Sequence, residues 1–155
     1  MNRRYVLLAA VVCGFSPAFA QEKTPTIEGA HQFIKQVVAK GAIEEVTAAN
    51  YAEGGGISTS DGFTITGVSV VSEACATTFY ANQYKDWISV NWSTAAKVGG
   101  ASGRSRDGSA VWITGGTGGW DGVYIALNSV EITGRFEKAA EFLRVQCDPA
   151  AETGF

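Results

Sequence analysis

The sequence predicts an α+β domain: an N-terminal amphipathic helix, a four- to five-stranded antiparallel meander, and a C-terminal helix packed on the sheet and stapled to it by a disulfide. Three observations carry that prediction. Apolar residues recur at helical spacing in two segments, 27–40 and 136–147. Between them, apolar and polar residues alternate in short runs separated by Asp-Gly pairs and Gly-rich stretches. Two cysteines far apart in sequence, Cys75 and Cys147, remain once an N-terminal export segment is set aside.

Residues 1–20, MNRRYVLLAAVVCGFSPAFA, read as a secretory signal peptide. Arg3 and Arg4 supply the positive start, and Tyr5 to Val12 the short apolar run. Ser16 and Pro17 break that run, and Ala18-Phe19-Ala20 is a small-x-small cleavage site after Ala20. The run is too short to cross the ~30 Å of hydrocarbon. Val12 stands where a lipoprotein site before Cys13 needs a small residue. The paired arginines are a weak twin-arginine hint, and with no cofactor motif to require folded export the general secretory route is preferred. The expectation is a periplasmic or extracellular protein of one domain, 21–155, with no stable membrane insertion after cleavage. Its first residues, 21–26, are polar and expected to be loose. Cys13 leaves with the signal, and an even pair of cysteines in an oxidising compartment is most simply a disulfide.

In the first helix, Ile27, Ala30, Ile34, Val37 and Val38 form one face. Thr24, with Pro25 at the first helical position, or Thr26 offers the N-cap, and Gly41 suits the residue just past the C-terminus. His31 sits at the edge of the apolar face. Residues 42–53 carry no clean period. Phe63 and Ile65 alternate with threonines, and the phase shifts at Gly67 to Val68 and Val70, which reads as a β-bulge. Further strands are expected at Ile88-Val90-Trp92, at Val111-Ile113 and at Val123-Ile125-Leu127, with Val130 and Ile132 as an extension, and residues 75–80 read as a further strand or as the far arm of a bent one. Asp61-Gly62, Asp107-Gly108 and Asp121-Gly122 are expected turns. The final helix places Phe136, Ala140, Leu143 and Cys147 on one face and Glu137, Lys138, Glu141 and Arg144 on the other. Pro149 ends it.

Composition excludes several functions. A formal net charge of −3, made more negative by loss of Arg3 and Arg4, argues against nucleic acid. One His and three Cys do not make a typical Cys/His zinc site, so no metal is expected. The segments 99–105 and 115–120 are Gly-rich but lack the Walker and dinucleotide patterns, and they lie between strands, so no cofactor is expected. No Gly-x-Ser-x-Gly elbow and no calcium-loop spacing occurs. Carboxylates are present and a pair of them could hydrolyse glycosides, but a chain this short leaves little material for a hydrolase's sugar cleft, and any two carboxylates can be paired on paper. No catalytic residues are assigned.

Recognition chemistry remains. Trp120, in Gly118-Gly119-Trp120-Asp121-Gly122, is an anchor for a partner if it stands at a loop tip, or a cover for a sheet edge if it folds back. Trp87 and Trp112 fall out of phase with their apolar neighbours, whereas Trp92 falls in phase and belongs to the core. The candidate contacts are Trp120, Asp121, Trp112, Trp87 and His31. Arg104 and Arg106 read as solvated loop charges, and Gly54-Gly55-Gly56 as a connector. The expected activity is that of an exported, non-enzymatic binding module for a protein, sugar or small molecule. The helix-then-meander order is similar to cystatin-like and nuclear-transport-factor-like folds. That resemblance implies an alternative: a small-ligand carrier or small enzyme with a cone-shaped sheet and a pocket between the sheet and the first helix, near His31.

Overall fold

The computed structural model describes residues 24–51, 57–100 and 109–150. The proposed signal peptide, Gly54-Gly55-Gly56, Arg104, Arg106 and Asp107-Gly108 lie outside these residues. The described chain runs α1 (Ile27–Ala39), β1 (Ile43–Tyr51), β2 (Ile57–Ile65), β3 (Ser69–Glu73), β4 (Ala76–Ala81), β5 (Asp86–Asn91), β6 (Ala95–Gly100), β7 (Ala110–Gly115), β8 (Gly122–Leu127) and α2 (Val130–Gln146). All strand pairs are antiparallel. They form a five-stranded sheet in the order β2-β1-β8-β7-β6 and a three-stranded sheet in the order β3-β4-β5.

The α+β class with helices at both ends is therefore the observed one. Its strands are more numerous than the four or five expected, and they divide between two sheets. The chain changes sheet at Gly67 (φ +60°), which ends β2 rather than bulging it. Val130 and Ile132 are not a continuation of β8 but the first turn of α2. Ser129 caps that turn, its hydroxyl accepting the Ile132 N–H at 3.4 Å. Asp61-Gly62 lies inside β2, where the β1–β2 register slips between Ala48 and Asn50, and is not a hairpin turn.

The inward faces of both sheets share one core with the helices. Val46, Val111, Ile113, Val123 and Ile125 face it from the larger sheet, and Phe79, Ile88 and Val90 from the smaller. Every residue of β8, the central strand of the larger sheet, is buried. α1 begins at Thr26, whose hydroxyl accepts the Gly29 N–H at 3.0 Å, and ends before Gly41 at φ +65°. It packs on α2 and β3 while α2 covers β6 and β7. The helix over the larger sheet is thus the last one and not the first, unlike the cone-shaped arrangement that the fold resemblance implies.

Cys75, in the β3–β4 turn, is joined to Cys147 at the end of α2, with Cα atoms 5.6 Å apart and 72 positions between them in sequence. The staple predicted between the last helix and the sheet is present. No described helix is long and apolar enough to cross a membrane.

Candidate functional site

The five residues singled out from sequence separate into three places. His31 goes inward. It is buried, with its Nε2–H donating to the Ala74 carbonyl at 3.1 Å and its Nδ1 accepting from the Thr77 hydroxyl at 3.3 Å. Thr77 Oγ1 in turn accepts the Trp92 indole N–H at 2.9 Å. A carbonyl cannot donate, so this chain of bonds requires the Nε2–H tautomer, and each ring nitrogen is then satisfied. The ring is a latch from α1 onto β4. The surface depression beside it, of about 250 Å³, is lined by Glu28, Gln32, Lys35 and Glu73 and lies over the latch rather than inside the fold.

Trp112 goes to the outer face of the larger sheet. There it packs with Ala110, Tyr124 and Ala126, away from the main core. Asp121 is exposed, and its backbone works as a tie. Its N–H donates to Asn50 Oδ1 at 3.1 Å, and its carbonyl accepts the Gly115 N–H at 2.8 Å.

Trp87 and Trp120 come to one place. They line one cleft of about 360 Å³ at the corner where β5 approaches the β7–β8 loop. That volume lies within the roughly 300–1,000 Å³ typical of small-molecule sites. Trp87, Ser89 and Asn91 form the β5 wall, because alternation sends 87, 89 and 91 outward while Ile88 and Val90 enter the core. Gly116, Thr117, Gly118 and Trp120 form the other wall. The buried Ala48 and Ile88 lie at its floor.

The Gly-rich run is what brings the walls together. Gly116, at φ +71°, lies so close to β5 that a Cβ there would meet the Asn91 carbonyl at 2.5 Å. Its own carbonyl accepts the Asn91 N–H at 2.7 Å, so the loop continues the hydrogen bonding across from one sheet to the other. Thr117 donates its hydroxyl to the Trp120 carbonyl and folds the loop back on itself. Trp120 is accordingly half-buried and packs against the main core, so it folds over the sheet edge and presents to the cleft the surface that remains. Trp87 stays 58% exposed.

The cleft lining, among the described residues, holds no ionisable side chain. Its polar groups are amide, hydroxyl and backbone. Asn91 accepts at Oδ1 from the Ser93 N–H (3.0 Å) and hydroxyl (2.7 Å), and its side-chain NH₂ has no partner among the described residues. The Ser89 and Thr78 hydroxyls are 2.9 Å apart, so one O–H of the pair remains to donate elsewhere. Neither Ser89, Asn91 nor Thr117 was singled out from sequence. The first two carry a readable signal, since they share the phase of Trp87.

Comparison with protein-family models, with curated proteins and with solved structures finds no match to this chain.

Proposed function

We propose that the chain is exported through its N-terminal segment and acts in the periplasm or outside the cell as a non-catalytic binding module, with the Trp87/Trp120 cleft as its site. One observation carries this reading: two tryptophans remote in sequence line a single cleft whose other polar groups are uncharged donors and acceptors. Such a lining binds through stacking and neutral hydrogen bonds, and among the described lining residues no ionisable side chain stands by to activate the Ser89 or Thr117 hydroxyl. The Cys75–Cys147 disulfide supports an oxidising compartment.

The test follows tryptophan emission of the disulfide-bonded protein. Titrants are neutral saccharides, small carboxylic acids, amino acids and short peptides. A saturable change is expected with at least one class, lost in Trp87→Ala and kept in Trp112→Phe. The reading is overturned if no class gives a response that depends on Trp87. It is equally overturned if a titrant is consumed at a rate abolished by a single carboxylate substitution.

A further inference from the structure

From the cleft and the surface that continues it, we infer that the ligand is a neutral oligosaccharide laid across β5 and β4. This rests on the binding-module reading above and names its ligand class.

Charge complementarity selects the chemistry. A phosphate or carboxylate ligand would enter a cleft whose described lining has no Lys or Arg, and an ammonium ligand would find no carboxylate there. Either charge would lose water without gaining a partner. Asp86, which precedes Trp87 at the start of β5, is not part of the cleft lining and accepts a hydrogen bond from the Asn82 side chain. A hydrocarbon ligand fails for the opposite reason. It would strip water from the Asn91 NH₂, the Ser89–Thr78 hydroxyl pair and the glycine backbone while offering no hydrogen bond in return. A pyranose satisfies both demands: its C–H face stacks on an indole, and its rim of hydroxyls both donates and accepts.

The length of the ligand follows from the strand register. Trp87 lies directly opposite Tyr80 on β4, so both side chains leave the same face of the three-stranded sheet. Tyr84, 64% exposed in the β4–β5 turn, stands edge-on to Tyr80 with ring centroids 5.0 Å apart. The aromatic surface therefore runs from Trp120 in the cleft through Trp87 and Tyr80 to Tyr84. A single planar heterocycle uses one end of such a surface. A chain of sugars, with an apolar face on each unit, uses all of it.

The experiment records the indole N–H signals of Trp87 and Trp120 by two-dimensional NMR on the disulfide-bonded protein. The probes are maltohexaose, cellohexaose and chitohexaose with their disaccharides, against tetramethylammonium, inorganic phosphate and adenosine. Both indoles are expected to shift saturably with at least one hexasaccharide. That hexasaccharide is expected to bind about tenfold more tightly than its disaccharide. Trp87→Ala is expected to weaken it about tenfold or more, with Trp87→Tyr restoring most of the loss. Tyr84→Ala, at an exposed turn, should weaken the hexasaccharide and spare the disaccharide. Shifts with tetramethylammonium, phosphate or adenosine and with no saccharide would overturn the ligand class while leaving the cleft as the binding site. Equal affinity for both saccharide lengths would overturn the extended surface. Silence of both indoles toward every probe would overturn this inference, and the binding-module reading would then stand or fall on the amino acid, carboxylic acid and peptide titrations above.

Discussion

The end of the domain where α1, α2 and the β3–β4 turn meet, and the corner where β5 meets the β7–β8 loop, are built from comparable residue types. Each has aromatic rings, hydroxyls and backbone held close. At the first, the polar groups face one another. Trp92 donates to Thr77, Thr77 to His31 and His31 to the Ala74 carbonyl, next to the Cys75–Cys147 bond. At the second they face out, and the Asn91 NH₂ and two tryptophan surfaces line a cleft. A histidine and two cysteines are the more reactive side chains by type, yet they sit at the end that is closed. Chemical capability marks a site only where geometry leaves it unengaged.

If the closed end holds the fold, breaking it has the largest effect. A double Cys75→Ser, Cys147→Ser variant is expected to lose about 4 kcal/mol of unfolding free energy, following the loop-closure entropy of a long covalent loop. Denaturant unfolding with and without reductant measures it. The native protein should show neither of these sulfurs to a thiol reagent until it is reduced. Two free thiols at these positions in protein from its native location would remove both the staple and the argument for an oxidising compartment.

Thr77→Val tests the same end without touching the sulfurs. Valine keeps the shape but leaves the buried Trp92 indole N–H without its acceptor and His31 Nδ1 without its donor. A loss of about 1–3 kcal/mol is expected, because an unpaired buried polar group carries its full desolvation cost. A variant as stable as the parent would show that the relay adds nothing to the latch.

At the open corner the effects should divide between stability and binding. Gly116→Ala forces a Cβ against the Asn91 carbonyl at a left-handed backbone position. A cost of roughly 1–3 kcal/mol is expected, together with a weaker ligand response, since both cleft walls must shift. Trp87→Ala is the sharper probe. Its ring is mostly exposed on an edge strand, so stability should stay within about 0.5 kcal/mol of the parent while the cleft response disappears. A large loss of stability would show that Trp87 belongs to the structure, as Trp92 does.

How far the sequence announces these two regions depends on the range of the forces that build them. Both helices are legible because their faces repeat within a turn, and the Thr26 and Gly41 caps act over three or four residues. The core tryptophan, Trp92, is legible from its phase with Ile88 and Val90. β1 is not, because a bulge between Ile43 and Glu45 shifts the alternation that would mark it. The first turn of α2 imitates a strand, since Val130 and Ile132 flank Glu131 as they would in an extended chain, and only Ser129 signals a cap. The split into two sheets depends on β1 pairing with β8, Val46 opposite Ile125, which no local pattern encodes. The cleft falls between these cases. The outward phase of Trp87, Ser89 and Asn91 is written in the strand. Their partner wall exists only because Gly116 meets a carbonyl remote in sequence.

The smallest effect belongs to neither region and sets the scale for both. On the solvent side of α2, Arg144 reaches back to Glu141 with two hydrogen bonds, at 2.8 and 2.6 Å. The hydrogen bond to Arg144 is the main reason that the Glu141 carboxyl titrates below its ordinary value, and slight burial opposes it. Glu141 remains 44% exposed, so solvent screens most of the attraction, and the pair should contribute about 0.3–0.5 kcal/mol. Because the folded-state pKa is the lower one, that contribution is fully present above the ordinary carboxylate range and vanishes as pH falls through the folded value. Glu141→Gln should therefore be slightly less stable than the parent at pH 7, with the gap closing as pH falls through the lowered folded-state value. A gap that persists in acid would mean that Glu141 acts through packing of its methylenes rather than through its charge, and the whole gap at pH 7 would then belong to α2 packing.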